Sequence, residues 1–498
     1  MNGVMVKGWC PGALRPMESG DGLIVRLKII GGIVDVRLAQ EIARWARCWG
    51  NGQIDLSGRA NLQLRGVSPR SLPLLQDALA AAGLLDSDER GEAVRNVISS
   101  PLAGLDPDAV LDVRPIARAL EQRLASDSAS HDLPGKFGFS IDDGGLLGLD
   151  GVSRDICFQG RQAAYGPCFD IYLAGAPDDR LGPCRPDELP DAALAIIAVF
   201  ITERSRQNGG IRRMSDLVAA HRNRREVNEL LDGCHRPLTV MAGEGLPCSA
   251  GGGGPGEGVD GGSAPAMTVS SDRASTGAVR LPRTLGAAEI GQAAGLAHVR
   301  VPRAVGRMAR PDAFLGVHPL GSAAFVGIGL PFGRIAAGDW EGLARKAAEH
   351  GARELRLTPW RTVLAPVPSL QLAQRLSGGL DKDPFILDSA DPRCRIAACP
   401  GAPDCLHATT PVRGDAAILA MSFAGATGSG TLLHVSGCAK GCAHPRAAPM
   451  TLVGRSGRYD LVLDGTPSAP AIRQNLTVDE AGEEIRQAMA HQMDRRTA

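Results

Sequence analysis

The chain has 498 residues, too many for one ordinary domain and suited to two or three. Apolar residues make up 44%, enough for sizeable cores, while 54 Lys plus Arg balance 54 Asp plus Glu, so no global charge directs the chain to nucleic acid or an anionic membrane. Aromatic residues at 4% argue against stacking platforms for single strands.

The opening residues Met1 to Pro16 hold no continuous apolar run and carry Pro11 early, so no signal peptide is expected. The first patterned unit is Leu23 to Leu64, which reads as a strand, a Gly turn, an amphipathic helix with Ile42, Trp45 and Ala46 on one face, and a second strand ending near Arg59. Lys136 to Ile141 and Asp170 to Leu173 read as strands around a glycine-rich stretch. Ala192 to Ile201 is the longest apolar run, too short for a bilayer and suited to a buried helix. These features predict a soluble cytoplasmic protein with neither membrane nor nucleic acid as partner.

Residues 243–277 are rich in Gly, Ser and Pro, cannot bury enough apolar surface to order themselves, and predict a flexible linker. After them the early pattern returns. Phe325 to Leu364 again reads strand, Gly turn, helix, strand, with Leu343, Ala347 and Ala348 at helical spacing. Leu355 to Arg361 sets beside Ile54 to Arg59, and strands at Thr431 to Ser436 and Tyr459 to Leu463 echo the earlier pair. The expectation is an α+β fold made by duplication: half-domains at 1–85 and 278–385, and α+β layers at 86–242 and 386–498. Gly425 to Gly430 precedes a strand instead of following one, so it reads as a hairpin loop and not as a dinucleotide fingerprint.

Twelve cysteines in such a chain do not make a disulfide framework, and eight of them read as small buried hydrophobes. The other four form two close pairs, Cys399-x5-Cys405 and Cys438-x3-Cys442, with 32 residues between the pairs. Gly401, Gly437 and Gly441 let the backbone pass close and offer amides to sulfur. Spacing leaves three readings: a [4Fe–4S] cluster on Cys399, Cys405, Cys438 and Cys442, a structural zinc, for which x5 is a poor match, or four unrelated thiols. Cys394 reads as a packing neighbour. His407, His434 and His444 flank the pairs and read as hydrogen-bonding or structural residues before iron ligands.

The pattern Cys-x5-Cys followed by Ser-Gly-Cys-x3-Cys resembles the cluster motif of the nitrite and sulfite reductase family. Leu357-Thr-Pro-Trp-Arg361, Leu56-Ser-Gly-Arg59-Ala-Asn-Leu-Gln63 and the internal duplication are similar to the same family. The resemblance covers nearly the whole chain apart from the linker. It implies the duplicated reductase fold of ferredoxin-like half-domains plus two cluster- or substrate-binding layers, a [4Fe–4S] cluster, and a cleft between the halves that takes a carboxylate-rich tetrapyrrole. Arg59, Arg95 and Lys136 match its anion-holding positions, and Arg forks suit carboxylates. Where the sulfite reductases carry a second lysine, this chain has Gly138, which removes a cation that anion reduction uses.

Within the family, the opening Gly8 to Arg26 resembles the oxygen-dependent branch of aerobic cobalamin biosynthesis. That branch implies precorrin-3A and dioxygen as substrates, a monooxygenase reaction closing a γ-lactone, a mononuclear non-haem iron besides the cluster, and a separate NAD(P)H-dependent electron donor. Cys442 matches the cysteine that bridges cluster and haem in the reductases. The competing readings are a sirohaem nitrite or sulfite reductase, the one case implying sirohaem, and a non-catalytic Fe–S tetrapyrrole carrier or electron-transfer module.

Overall fold

A computed structural model describes residues 10–222, 298–300, 311–380, 384–423 and 430–497. The expected linker, and all of the expected 425–430 hairpin loop but Gly430, lie outside the described residues.

The first half-domain contains β1 (Met17–Ser19), β2 (Gly22–Leu27), β3 (Ile33–Asp35), β4 (Gln53–Leu56) and β5 (Leu62–Val67). Its helix Val36–Trp49 starts where the Asp35 side chain accepts the Arg37 N–H, and it buries Ile42, Trp45 and Ala46, as their spacing predicts. The first layer contains β6 (Val97–Ser99), β7 (Phe139–Asp142), β8 (Ile156–Ala163), β9 (Gly166–Leu173) and β10 (Ala176–Cys184). A sixth strand, β11 (His298–Arg300), pairs antiparallel with β10. The second half-domain therefore begins after these residues, later than the expected 278. Its strands are β12 (Gly316–Leu320), β13 (Ala323–Gly329), β14 (Arg334–Ala336), β15 (Glu354–Leu357) and β16 (Thr362–Val367). The second layer follows with β17 (Ile396–Ala398), β18 (Leu433–Ser436), β19 (Ala448–Arg455), β20 (Arg458–Gly465) and β21 (Arg473–Leu476).

The two half-domains are not independent. Their sheets run β1-β2-β5-β4-β14 and β12-β13-β16-β15-β3, so each half lends one short strand to the edge of the other. Ile335 pairs with Ile54, and Val34 pairs with Leu355. One hydrophobic core spans both, with Trp45 and Trp340 in it, and the Trp340 indole N–H donates to the Ala39 carbonyl at 2.9 Å. Burying one such leucine, for example Leu343, contributes about 2 kcal/mol. The second helix, Ala337–Glu349, buries Trp340, Leu343 and Ala347; Ala348 is exposed, so Trp340 takes the place expected of it.

The two layers share a topology. β6, β7 and β8 run parallel and then turn antiparallel through β9 and β10; β17, β18 and β19 run parallel and then turn antiparallel through β20 and β21. Helix Leu189–Arg206 covers the first layer and buries most of the long apolar run, as expected. No described helix is long and apolar enough to cross a membrane.

Candidate metal centre and cleft

The four cysteines of the two close pairs sit on loops at the C-terminal ends of two parallel strands. Cys399 follows β17, and Cys438 and Cys442 follow β18. The Gly437 N–H donates to the Cys399 sulfur at 3.2 Å. A Cβ on Gly437 would lie 2.5 Å from that of Ala408, so only glycine lets these loops close. Cys399 is buried, Cys405 and Cys438 are half-buried and Cys442 is exposed. Burial pushes the Cys399 thiol up, the Gly437 and Gly401 amides oppose this, and Cys405 and Cys442 stand close enough to add to it. Among the described residues no three His, Cys, Asp or Glu side chains converge on a single ion. Thiolates that hold a cubane stay apart because the cluster body lies between them, and the amide-donating, glycine-lined loops fit such a group.

The first layer shows what the same loops look like without cysteine. There the Asp143 N–H donates to the Ser100 hydroxyl at 2.9 Å, and Ser100 N donates to Ile141 as Cys399 N donates to Val435. Ser100 thus stands where Cys399 stands, Asp143 where Gly437 stands, and Ser140 where His434 stands. Of the eight other cysteines, Cys157, Cys168 and Cys184 are buried as expected; Cys48 is exposed, and Cys10 and Cys394 are half-buried. Cys234 and Cys248 lie outside the described residues.

Arg59 leaves the β4–β5 turn and crosses to the first layer, where it donates to the Asn96 side chain at 3.1 Å and to the Lys136 carbonyl at 2.8 Å. Burial pushes its pKa down, and the Cys10 thiol lies within hydrogen-bonding reach of both Arg59 and Arg26. Lys136 itself is exposed. Gly138 donates its N–H to the buried Asp155 carboxylate at 2.9 Å, and Arg213 pairs with the same carboxylate at 2.9 Å. Arg95 departs from the expected role. It donates to both Asp86 oxygens, at 2.7 and 2.6 Å, and to Glu121 at 2.6 Å, so its guanidinium is engaged by protein carboxylates and braces the layer. Lys28, which sequence pattern did not single out, sits beneath these residues; burial pushes it down to about 7. It donates to the Glu92 and Ala93 carbonyls.

The β15–β16 turn is the counterpart of the Arg59 turn. Ser57 N donates to Asn61 O, and Thr358 N donates to Thr362 O, so Arg59 matches Trp360 and the left-handed Ala60 matches the left-handed Arg361. Setting Ile54 to Arg59 beside Leu355 to Arg361 from their first residues gives the same register. A cleft of about 440 Å³ runs from Gly58 past Trp360 and Arg361 to Cys394 and His444, joining the Arg59 turn to the cysteine layer. Cys394 therefore lines this cleft and is more than a packing neighbour. His434 is fully buried beside His444, with ring centroids 5.8 Å apart, and neither of its nitrogens has a protein partner. Burial, with His444 and Arg361 nearby, pushes His434 down to about 4. His407 makes no part of this cleft wall.

Asp55 on β4 ties the halves to the loop that carries Cys405. It accepts from Arg334 at 2.7 and 3.1 Å and from Arg413 at 3.0 Å, and Arg65 stands at 3.7 Å. Burial would raise its pKa, but Arg413, Arg334 and Arg65 hold it at about 2. Arg334 also pairs with Asp404, the neighbour of Cys405, whose carbonyl accepts from Arg65 at 2.8 Å.

Residues 15–82 and 318–377 match the nitrite/sulfite reductase ferredoxin-like half domain, and residues 90–222 match the nitrite and sulphite reductase 4Fe-4S domain. The second match falls on the layer that lacks the two cysteine pairs. The chain is 29% identical to a precorrin-3B synthase of Sinorhizobium sp over 93% of its length and 83% of that protein's. It is 26% identical to a ferredoxin--nitrite reductase of Synechococcus elongatus over 90% of its length and 78% of the relative's. The structure of the Mycobacterium tuberculosis NirA protein shares the fold with a TM-score of 0.65 at 18% identity, over 93% of this chain and 79% of that one.

Proposed function

The chain belongs to the nitrite and sulfite reductase family, and from that premise we propose that it is a precorrin-3B synthase, an oxygen-dependent monooxygenase of cobalamin biosynthesis. The observation that carries this reading is the cleft joining the Arg59 turn to the cysteine layer, with Gly138 tied to Asp155 where an anion reductase carries a second lysine. A bound anion needs that cation; neutral dioxygen does not. The similarity to a precorrin-3B synthase along nearly the whole chain supports the same choice.

The reaction takes precorrin-3A, dioxygen, two electrons and two protons to the hydroxylated γ-lactone precorrin-3B and water. A separate NAD(P)H-dependent protein supplies the electrons. Cys399, Cys405, Cys438 and Cys442 would hold a [4Fe–4S] cluster, which would supply single-electron transfer. A mononuclear iron belongs to this proposal as well, its ligands unassigned among the described residues. Arg59 and Lys136 face substrate carboxylates, Arg59 fixed by Asn96 so that its fork is oriented before the ligand arrives. Leu330, Phe332 and Ile386 line the cleft and exclude water from it.

Absorption spectra of anaerobically purified protein test this first. A broad iron–sulfur shoulder is expected, and sharp sirohaem bands would overturn the synthase in favour of the reductases. Oxygen uptake on adding precorrin-3A and a reductant tests it next. Uptake is expected, and none would leave a carrier.

A further inference from the structure

We propose that Arg361, backed by His434 and His444, is a carboxylate-binding device that fixes one acid side chain of the tetrapyrrole on the cysteine side of the cleft. This rests on the proposed tetrapyrrole ligand and adds where and how it is held.

Four observations converge on it. Arg361 lines the cleft and is held among other groups with its pKa pushed down by burial. Among the described residues its guanidinium makes no hydrogen bond or ion pair, whereas neighbouring Arg393 is engaged by Asp391 and the Phe385 carbonyl. Its backbone is left-handed, with φ 61°, a conformation that side chains with a Cβ rarely adopt. Gly333 makes room for it, because a Cβ there would lie 2.9 Å from the Arg361 Cδ. The duplicated turn of the first half carries Ala60 at the same left-handed point, so the fold does not require arginine. A strained, half-buried guanidinium in a cleft, hydrogen-bonded to no described residue, awaits an anion.

The histidines settle which anion. His434 is fully buried with both ring nitrogens unpartnered, directly behind His444 in the cleft wall. A metal ion would meet the Arg361 charge, and no third ligand converges there among the described residues. A carboxylate accepts from the guanidinium fork and from imidazole N–H together. Trp360 beside Arg361 offers an apolar wall to the face of a macrocycle.

Uroporphyrin III, an octacarboxylate tetrapyrrole, serves as the probe, titrated into the holoprotein and followed by quenching of tryptophan fluorescence. Arg361→Gln and Arg361→Gly are expected to weaken binding about 10- to 100-fold, the loss of one charge-assisted fork, with partial recovery in Arg361→Lys. Arg361→Gly is further expected to melt no lower than wild type, since glycine takes the left-handed backbone freely. Binding by wild type and both variants alike would overturn the Arg361 device and leave the tetrapyrrole reading standing. No binding by wild type would overturn both. A fall in the melting temperature of Arg361→Gly would make Arg361 a structural residue and overturn the device.

Discussion

Asp55→Asn removes the one carboxylate that Arg334, Arg413 and Arg65 share. The Asp55 carboxyl is held at about 2 against an ordinary 3.8, and that depression corresponds to about 2.4 kcal/mol of stability at neutral pH. Only 7% of the side chain is exposed, so solvent screens little of it. Breaking a buried pair costs about 3–5 kcal/mol when the partner stays charged and unmatched. Arg65 keeps Asp21 and Arg334 keeps Asp404, which places the expected loss near the lower bound, about 3 kcal/mol. Denaturant unfolding followed by tryptophan fluorescence at neutral pH measures it. Because the folded-state pKa is depressed, the contribution is complete above the ordinary 3.8 and vanishes as pH falls through about 2, so wild type and variant should converge in that window. A loss below about 0.5 kcal/mol at neutral pH, the size of an ordinary surface change, would refute the role of Asp55 as the hub.

Cys405→Ser should abolish the cluster; four irons and four sulfides per chain in that variant would refute the ligand set. Arg95→Ala leaves Asp86 and the buried Glu121 without their cation, so it should destabilise the protein by about 3–5 kcal/mol, and a variant of wild-type stability with only weakened ligand binding would restore the substrate role instead. Gly437→Ala should lower iron content, because its Cβ would collide with Ala408, and unchanged iron and sulfide would show that the loops can yield. Gly414→Ala, in the helix Val412–Ala420 with open space at its Cβ, should instead raise stability by about 0.5–1 kcal/mol in the same unfolding assay.

Several features of the protein were legible residue by residue. The Cys-x5-Cys and Cys-x3-Cys pairs mark neighbouring loops of one layer because loop spacing is covalent, and the glycines beside them are those whose amides and missing side chains the loops use. Ile42, Trp45 and Ala46 declare a buried helical face because 3.6-residue periodicity is local. The register of the second turn was legible too: setting Ile54 on Leu355 puts Arg59 on Trp360, and the Ser57 to Asn61 and Thr358 to Thr362 hydrogen bonds hold the two turns in that match. Arg95 matched a family position as well as Arg59 did, yet one guanidinium meets two carboxylates and the other meets the Asn96 side chain and the Lys136 carbonyl; an arginine's sequence neighbours do not reveal its partners.

The amino-acid sequence by itself determined the duplication, the cysteine layer and the helix faces, all of which depend on short spacings along the chain. Tertiary structure alone decided the exchange of β3 and β14 between the halves, because three-residue strands carry almost no periodic signal and are held by the edges they join. It also decided the charges: Asp55 and Arg334 meet across 279 residues, and His434 is fully buried with neither ring nitrogen hydrogen-bonded to a described residue. Periodicity and spacing are properties of neighbours in sequence, while burial and ion pairing are properties of neighbours in space.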